Sequence, residues 1–243
     1  EPAYEQTARG AADFILATMA ADDGSLLRRY RAGIAGIEGM LDDYAFFAQA
    51  LLDLYEATFE FRYLERAIAI TSKQCELLED TGSGGFFASA HADTSRLMRL
   101  KDDYDGAEPS GNSVALMNLL RLHRVTGKAH YEASARKLLA AFQQRLTEAP
   151  YGMPQMLCAC EFDLAPPREI VVAGAKKNDM TKLLWNSFDP HRVLLYASAE
   201  LTPWQPAMAE MKAGEGGTSV YVCENFTCNA PVHTAEELAR LLK

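Results

Sequence analysis

Two short polar clusters hold side chains that could do chemistry, and each lies at the start of a long apolar run. The side chains of the two clusters are Asp42, Asp43, Tyr44, Glu108, Ser110 and Asn112. Asp42 and Ser110 are residue types that cap helix N-termini, where the helix macrodipole also favours a carboxylate. Asp43, Tyr44 and Asn112 are less needed as caps. We therefore expect these three to face a cavity and to contact a substrate.

Two carboxylates across a cavity are the groups that glycoside hydrolysis uses, one as the acid and the other as the base or nucleophile. We predict Asp43 and Glu108 as this pair, with Asp105 in reserve. Tyr104 and Phe86 are aromatic residues that could stack on a sugar ring. Chemistry of this kind needs no metal and no cofactor, and we predict neither.

Histidine chemistry is less favoured by the sequence. A sugar 2-epimerase is expected to use histidines as proton acceptor and donor. His91 falls in a predicted loop, and His123 falls late in a predicted helix. Neither histidine is at the start of an apolar helix, so the carboxylates remain the better candidates.

Cys223 and Cys228 form a C-x4-C pair at the end of a predicted strand. A redox pair usually has the spacing C-x-x-C, and a zinc site needs a second pair of ligands. Cys158 and Cys160 could supply that pair only if the fold brought them near. The alternative is that these cysteines are small buried residues, as free cysteines commonly are. The other prediction for Cys223 and Cys228 is a redox role.

The chain repeats one helical pattern. Residues 41–67 align without a gap on residues 109–135, and each copy holds an apolar helix, a polar turn and an amphipathic helix. Tyr63 and Tyr131 begin the second helix at the same place in the two copies. Repeats of this kind stack as helical hairpins, because one hairpin alone cannot bury its apolar face. An apolar helix beside an amphipathic one is typical of the inner and outer helices of an α/α toroid.

The sequence therefore predicts a mainly α fold, a partial α/α toroid of helical hairpins over residues 1–167 followed by a small α/β unit over residues 168–243. The predicted helices of the first region are 4–20, 42–58, 61–79, 110–126, 129–147 and 151–162. Strand patterns at 168–173, 192–197 and 218–223 alternate with helical ones. This alternation favours a small parallel sheet.

Charge and composition exclude several classes of partner. A formal net charge of −9 argues against nucleic acid and against an anionic membrane surface, and no apolar run is long enough to span a bilayer. Five unevenly spaced cysteines do not form the framework of a secreted disulfide-rich protein, so we expect a reducing, cytoplasmic location. The chain begins at Glu1, so we expect a missing N-terminal portion, which leaves targeting signals open. An incomplete toroid would also expose apolar helix faces that favour self-association.

Several motifs together resemble one known family. They are LDDYAF, ALLDLYEAT, GGFF, YDGAEPSGNSVA, REIVVAG and TSVYVCENFTCNAPV. In this combination the chain is similar to the carboxy-terminal part of the thioredoxin-domain-containing proteins of the spermatogenesis-associated protein 20 group. The resemblance implies an N-terminal thioredoxin-like domain that this chain lacks. It also implies a toroid similar to six-hairpin glycosidases and N-acylglucosamine 2-epimerases, of which this chain would supply about three hairpins. The remaining hairpins would come from the missing part or from another chain.

Two hypotheses for the function follow from these residues and from the resemblance. The first is a carbohydrate-binding or carbohydrate-active domain whose small-molecule, sugar-like ligand lies at the ends of the inner helices. Its chemistry would be acid–base, as in a glycosidase or an epimerase. The alternative is a noncatalytic scaffold of a thioredoxin-like protein that acts in thiol redox or protein quality control. In that case Cys223 or Cys228 would exchange disulfides with the missing domain.

Overall fold

The computed structural model describes residues 1–90, 98–225 and 227–242. These residues form helices that are joined by short turns, and strands that lie in a hairpin and a small sheet. The helices are α1 (Pro2–Thr18), α2 (Leu41–Thr58), α3 (Phe61–Leu78), α4 (Gly111–Thr126), α5 (Ala129–Glu148), α6 (Pro154–Leu164), α7 (Asp179–Asn186) and α8 (Ala235–Leu241). The strands are β1 (Leu27–Arg31), β2 (Ile34–Glu38), β3 (Arg168–Gly174), β4 (Arg192–Tyr196), β5 (Thr218–Glu224) and β6 (Thr227–Cys228).

Helices α2 and α4 form the centre of the helical region. Almost every residue of α4 is buried, from Gly111 to Thr126, and α2 buries about half of its length. By contrast α3 and α5 bury one face each and present charged residues outward. An apolar helix is surrounded by protein and a one-faced helix lies outside. The predicted inner and outer helices of the two hairpins therefore agree with the burial that the structure shows.

The turns inside the two hairpins end their first helices in the same way. Phe59 follows α2 with φ 54°, and Gly127 follows α4 with φ 64°, so both occupy the left-handed region. A residue in this conformation redirects the chain at a helix C-terminus, and glycine adopts it without steric cost. The next helix then runs back antiparallel to the first, as the short turns predict.

The C-terminal sheet has the order β4-β3-β5-β6. Strand β3 pairs with β4 in parallel, but β5 runs antiparallel to β3, with Ile170 opposite Val222. The prediction of a parallel sheet was therefore wrong for β5. The reason is that the long segment between β4 and β5 returns the chain to the far side of β3 in the opposite direction. A sequence pattern of buried strands does not encode that choice of edge or direction.

The prediction of a mainly α fold is confirmed, whereas the toroid and the division at residue 167 stay predictions. Helix α6 ends at Leu164 and strand β3 begins at Arg168, where the pattern of the sequence changes. The two regions share core packing, because Phe59 of the helical region is buried in the same cluster as Ile170 and Val172 of the sheet. Among the residues that the structure describes, each helix is too short or too polar to cross a bilayer.

Candidate functional site

The N-termini of α2, α4 and α6 meet at one end of the helical region, which we call the rim. Asp105 joins two of these helices. Its Oδ1 accepts the backbone N–H of Ser110 at 2.8 Å, and its Oδ2 accepts those of Gln155 at 2.8 Å and Met156 at 3.3 Å. The first N–H groups of a helix have no partner within the helix, so a carboxylate placed there stabilises it. This anchoring accounts for the buried Asp105, and its reserve catalytic role stays a prediction.

Asp42 and Asp43 have the reverse of their expected roles. The Oδ2 of Asp43 accepts the backbone N–H of Met40 at 2.8 Å and lies 3.9 Å from Nε of Arg28. Asp43 is therefore the capping carboxylate of α2, because an acid at the third helical position can reach back to the residue before the helix. The expectation that Asp42 is the cap and that Asp43 faces a cavity was wrong in this respect.

Asp42 instead reaches across to α4. Its carboxyl interacts with the backbone N–H of Gly111, and the residue keeps solvent-exposed surface. Burial raises the pKa of the Asp42 carboxyl, and the negative charges of Asp43 and Asp102 raise it further. A carboxylic acid whose pKa is raised above its ordinary value keeps its proton at higher pH, which is the property that a general acid needs.

Three of the predicted substrate contacts are buried. Tyr44 is 2% exposed, and its hydroxyl accepts the N–H of Leu26 at 3.1 Å. Asn112 is fully buried, and its Oδ1 accepts the N–H of Phe86 at 2.8 Å. Its Nδ2 donates to the carbonyl of Phe86 at 3.0 Å and to that of Asp102 at 2.9 Å. Phe86 is itself 0% exposed. These side chains fix the segments that cover the rim, and their burial leaves no surface for the predicted contact with a ligand.

Tyr104 and Glu108 remain accessible at the rim. Tyr104 is 60% exposed, and its ring lies over two glycines. A Cβ atom at Gly106 would lie 3.0 Å from this ring, and one at Gly152 would lie 3.5 Å away. Glu108 is exposed. The accessible rim thus combines a tyrosine face with carboxylates.

Sequence reasoning missed two further side chains at the rim. Tyr151 precedes Gly152 and is 86% exposed, and Asp102 is an exposed carboxylate whose charge acts on Asp42. The run KDDYD, which contains Asp102, could have indicated it. Tyr151 carried no signal, because the approach of its neighbour Gly152 to the Tyr104 segment depends on the hydrogen bond of 2.8 Å from the Asp105 N–H to the Gly152 carbonyl. The predicted loop histidine, His91, lies outside the described residues.

Cys223 and Cys228 form a disulfide between the paired strands β5 and β6, with their Cα atoms 3.8 Å apart. Cys223 is 6% exposed and Cys228 is exposed. The alternative of two unlinked, buried cysteines is thus wrong. Cys158 and Cys160 are free on α6, and among the described residues no three His, Cys, Asp or Glu side chains form a group that could hold a metal ion.

The fold and the rim define a class of protein, a mainly helical domain of stacked hairpins with an acidic, tyrosine-lined end and a small disulfide-bonded sheet. The chain is similar to spermatogenesis-associated protein 20 of Homo sapiens, with 38% identity over 213 residues, which is 84% of this chain and 27% of that protein. The rat protein of the same name has the same identity and coverage. An uncharacterized protein of Caenorhabditis elegans is 31% identical and covers 99% of this chain and 34% of its own length.

These relatives support the spermatogenesis-associated protein 20 family that the sequence motifs indicated. The chain spans about a quarter of the length of the mammalian relatives, 27% in each case. Any activity or partner of the full-length proteins is therefore a proposal for this chain. No protein-family model matches the chain.

Proposed function

We propose that this chain is a carbohydrate-binding domain with acid–base chemistry at the rim, built as part of an α/α toroid. The observation that carries the proposal is the meeting of three helix N-termini beneath exposed tyrosines and carboxylates. Tyrosine faces stack on the apolar faces of sugar rings, and carboxylates accept hydrogen bonds from sugar hydroxyls. The central burial of α2 and α4 supports the arrangement of inner and outer helices that a toroid requires.

We assign the catalytic roles from the environment of each carboxylate, that is, from its hydrogen bonds, its pKa and its exposure. We assign the acid to Asp42 rather than to Asp43, because Asp43 already caps α2 and because the raised pKa of Asp42 suits a proton donor. Glu108 remains the candidate base or nucleophile, since it is exposed. Tyr104 and Tyr151 are the candidate stacking surfaces.

A thermal-shift titration with monosaccharides and disaccharides tests this function. A sugar that binds the folded chain raises its melting temperature, and the rise grows with sugar concentration. We expect Asp42→Asn and Glu108→Gln to weaken this response while the chain stays folded. Asp43→Ala is the matched control, because it removes a helix cap and lowers the melting temperature without changing the sugar response. Equal responses in the wild type, D42N and E108Q, or no response to any sugar, would overturn the proposal.

A second function is favoured by the disulfide. In a reducing compartment a disulfide is usually transient and redox-active, and the exposed position of Cys228 opens it to attack. The thiolate of a partner dithiol would attack Sγ of Cys228 and displace Cys223 as a thiolate. The second partner thiol would then resolve the mixed disulfide, which leaves both cysteines reduced and the partner oxidised. The chain would then be a cytoplasmic scaffold for a thioredoxin-like domain.

The reduction potential of the Cys223–Cys228 pair decides between a redox role and a structural one. A redox titration against glutathione or dithiothreitol, with alkylation and mass spectrometry, measures it. We expect a potential above about −270 mV for a pair that exchanges with thioredoxin-like dithiols. A value below about −300 mV would identify a structural disulfide and would remove the support for this second function.

A further inference from the structure

A pocket of about 470 Å³ lies at the opposite end of α4 from the rim. Its walls come from the last turns of α4, from the end of α6, from the start of β3 and from the segment that follows β4. Residues on these walls include Leu120, His123, Arg124, Glu169, Trp204 and Gln205. From Gly111 to His123 the helix rises roughly 18 Å. This pocket is therefore distinct from the rim, and it lies at a junction of structural units, where small-molecule sites commonly occur.

Glu169 is the unusual residue of this pocket. Strand residues alternate in direction, and Ile170 and Val172 enter the apolar cluster of the sheet. Glu169 accordingly faces the helical region, where it lines the pocket. Within the described part of the chain its carboxylate has no hydrogen bond and no ion pair. Burial raises the pKa of the Glu169 carboxyl, and the positive charge of Arg124 partly offsets this effect. A partly buried carboxylate without a hydrogen-bond or ion-pair partner is costly, so a cationic group that pairs directly with Glu169 would be favoured.

Arg124 acts on Glu169 through its charge, but within the described residues neither arginine of the pocket forms an ion pair with Glu169. Arg124 donates to backbone carbonyls, to His191 at 2.6 Å, to Ala165 at 3.4 Å and to Phe162. Its guanidinium also stacks on the Phe162 ring, 3.7 Å from the centroid. Arg136 forms an ion pair with Asp163, with Nη2 and Oδ1 at 3.0 Å. Both guanidinium groups are therefore held by other acceptors.

The remaining features of the pocket favour a positive ligand. Helices α4 and α6 both end here, and the C-terminus of a helix carries partial negative charge. Glu132 is a second acid at the pocket wall, where its carboxylate lies 3.6 Å from Nε2 of His123 and 3.7 Å from Nη2 of Arg136. Trp204 contributes an indole, a ring type that attracts cations to its face; the ammonium of Lys128 already lies 5.0 Å from its centroid.

We propose that this pocket binds a small organic amine, whose ammonium group pairs with Glu169 and whose carbon body lies against Trp204 and Leu120. The three required elements are an unpaired carboxylate, an aromatic wall and an apolar floor, and the pocket has all three. The ligand class is a primary amine of a size that fits the cavity. The site is independent of the proposed sugar-binding rim.

Isothermal titration of the chain with matched pairs of probes tests the proposal. Cyclohexylamine against cyclohexanol and ethanolamine against ethylene glycol differ chiefly in the ammonium group, and none of them is a sugar that the rim is proposed to bind. We expect the amines to bind and the neutral partners not to bind detectably at this pocket. Glu169→Gln should weaken amine binding about tenfold or more, because it removes one member of a desolvated charge pair. The matched control is Glu215→Gln, an exposed glutamate outside the pocket, which should leave binding unchanged.

Two further measurements keep the test decisive. Without ligand, E169Q should melt at a temperature equal to or above that of the wild type, since it removes an unpaired partly buried charge. A loss of amine binding in E169Q is then not caused by a loss of folding. An excess of a sugar that binds the rim should leave amine binding unchanged, which separates this pocket from the rim. Equal binding of the amines and their neutral partners, equal binding by E169Q and wild type, or no amine binding at all would overturn the proposal.

Discussion

At the scale of single residues, two adjacent aspartates show how position within a helix determines role. Asp43 reaches back to the Met40 N–H and caps its own helix. Asp42, one residue earlier, points toward another helix, and its carboxyl interacts with the Gly111 N–H. The same residue type therefore stabilises α2 in one case and joins α2 to α4 in the other. In the second arrangement the pKa of the carboxyl is raised.

The raised pKa of Asp42 predicts a pH dependence of stability. The folded chain binds the Asp42 proton more tightly than the unfolded chain does, so this group favours folding at low pH and loses that contribution as pH rises through its folded pKa. In Asp42→Asn the contribution is absent, while an amide oxygen can still interact with the Gly111 N–H. We expect the free energy of unfolding of D42N, relative to that of the wild type, to increase between about pH 4 and about pH 7.

Urea denaturation of both proteins at the two pH values measures this difference. Asp43→Ala serves for comparison, because its loss of a helix cap lowers stability by about 1 kcal/mol at neutral pH. A relative stability of D42N that falls with increasing pH would contradict the assignment of a raised pKa.

At the scale of secondary-structure elements, the rim depends on a close approach between the N-termini of α2 and α4. Gly111 is the first residue of α4. A Cβ atom at this position would lie 2.5 Å from Oδ1 of Asp42 and 2.7 Å from Cγ of Leu41. Both distances are well below van der Waals contact. The absence of a side chain at Gly111 therefore allows the two helices to meet.

Two glycine substitutions test this close approach. Gly111→Ala should lower the free energy of unfolding by about 1–3 kcal/mol through overpacking, even though alanine is the better helix former. Gly10→Ala is the matched control, because Gly10 lies in exposed α1 and a Cβ atom there would meet no other atom within 4 Å. It should raise the free energy of unfolding by about 0.5–1 kcal/mol. Chemical denaturation of both variants decides the matter, and stabilisation by G111A would refute the steric argument.

At the scale of the whole molecule, the helical region and the sheet are joined by the C-terminal end of α2. Phe59 stacks on Tyr196, with ring centroids 5.7 Å apart, and its carbonyl accepts a hydrogen bond from Nζ of Lys176 at 2.7 Å. The indole N–H of Trp185 donates to the Glu56 carbonyl at 3.0 Å. These contacts bury residues of one region in the core of the other.

This junction predicts one cooperative unfolding transition. Both tryptophans lie in residues 168–243 but contact the helical region, Trp185 at Glu56 and Trp204 at Phe61. Their fluorescence therefore reports on the junction of the two regions, whereas far-ultraviolet circular dichroism reports mainly on the helices. We expect coincident midpoints by the two probes. Phe59→Ala should lower the free energy of unfolding by about 3–5 kcal/mol and shift both midpoints together.

Phe188→Ala is the control for that substitution. Phe188 is 93% exposed, and its removal should change stability by less than about 0.5 kcal/mol. Separate midpoints in the wild type would show that the two regions unfold independently and that the junction contributes little to stability.

The sequence could predict what depends on local periodicity. The predicted helices at 42–58 and 110–126 correspond to α2 (Leu41–Thr58) and α4 (Gly111–Thr126) within one residue at each end. Their apolar runs, polar turns and repeated tyrosines are signals contained in neighbouring residues. The sequence also identified the polar residues at the helix starts. It did not predict the role that each of them has in the fold.

The sequence by itself thus determined the helices, their inner or outer position and the polar ends of the inner ones, because each follows from side-chain spacing along the chain. The tertiary structure alone decided that Asn112 and Phe86 are buried, that Asp42 faces α4, and that β5 pairs antiparallel to β3. It also brought Glu169 and Trp204 to one pocket. These features depend on contacts between residues far apart in the sequence, and local periodicity carries no information about which distant backbone groups a side chain will meet.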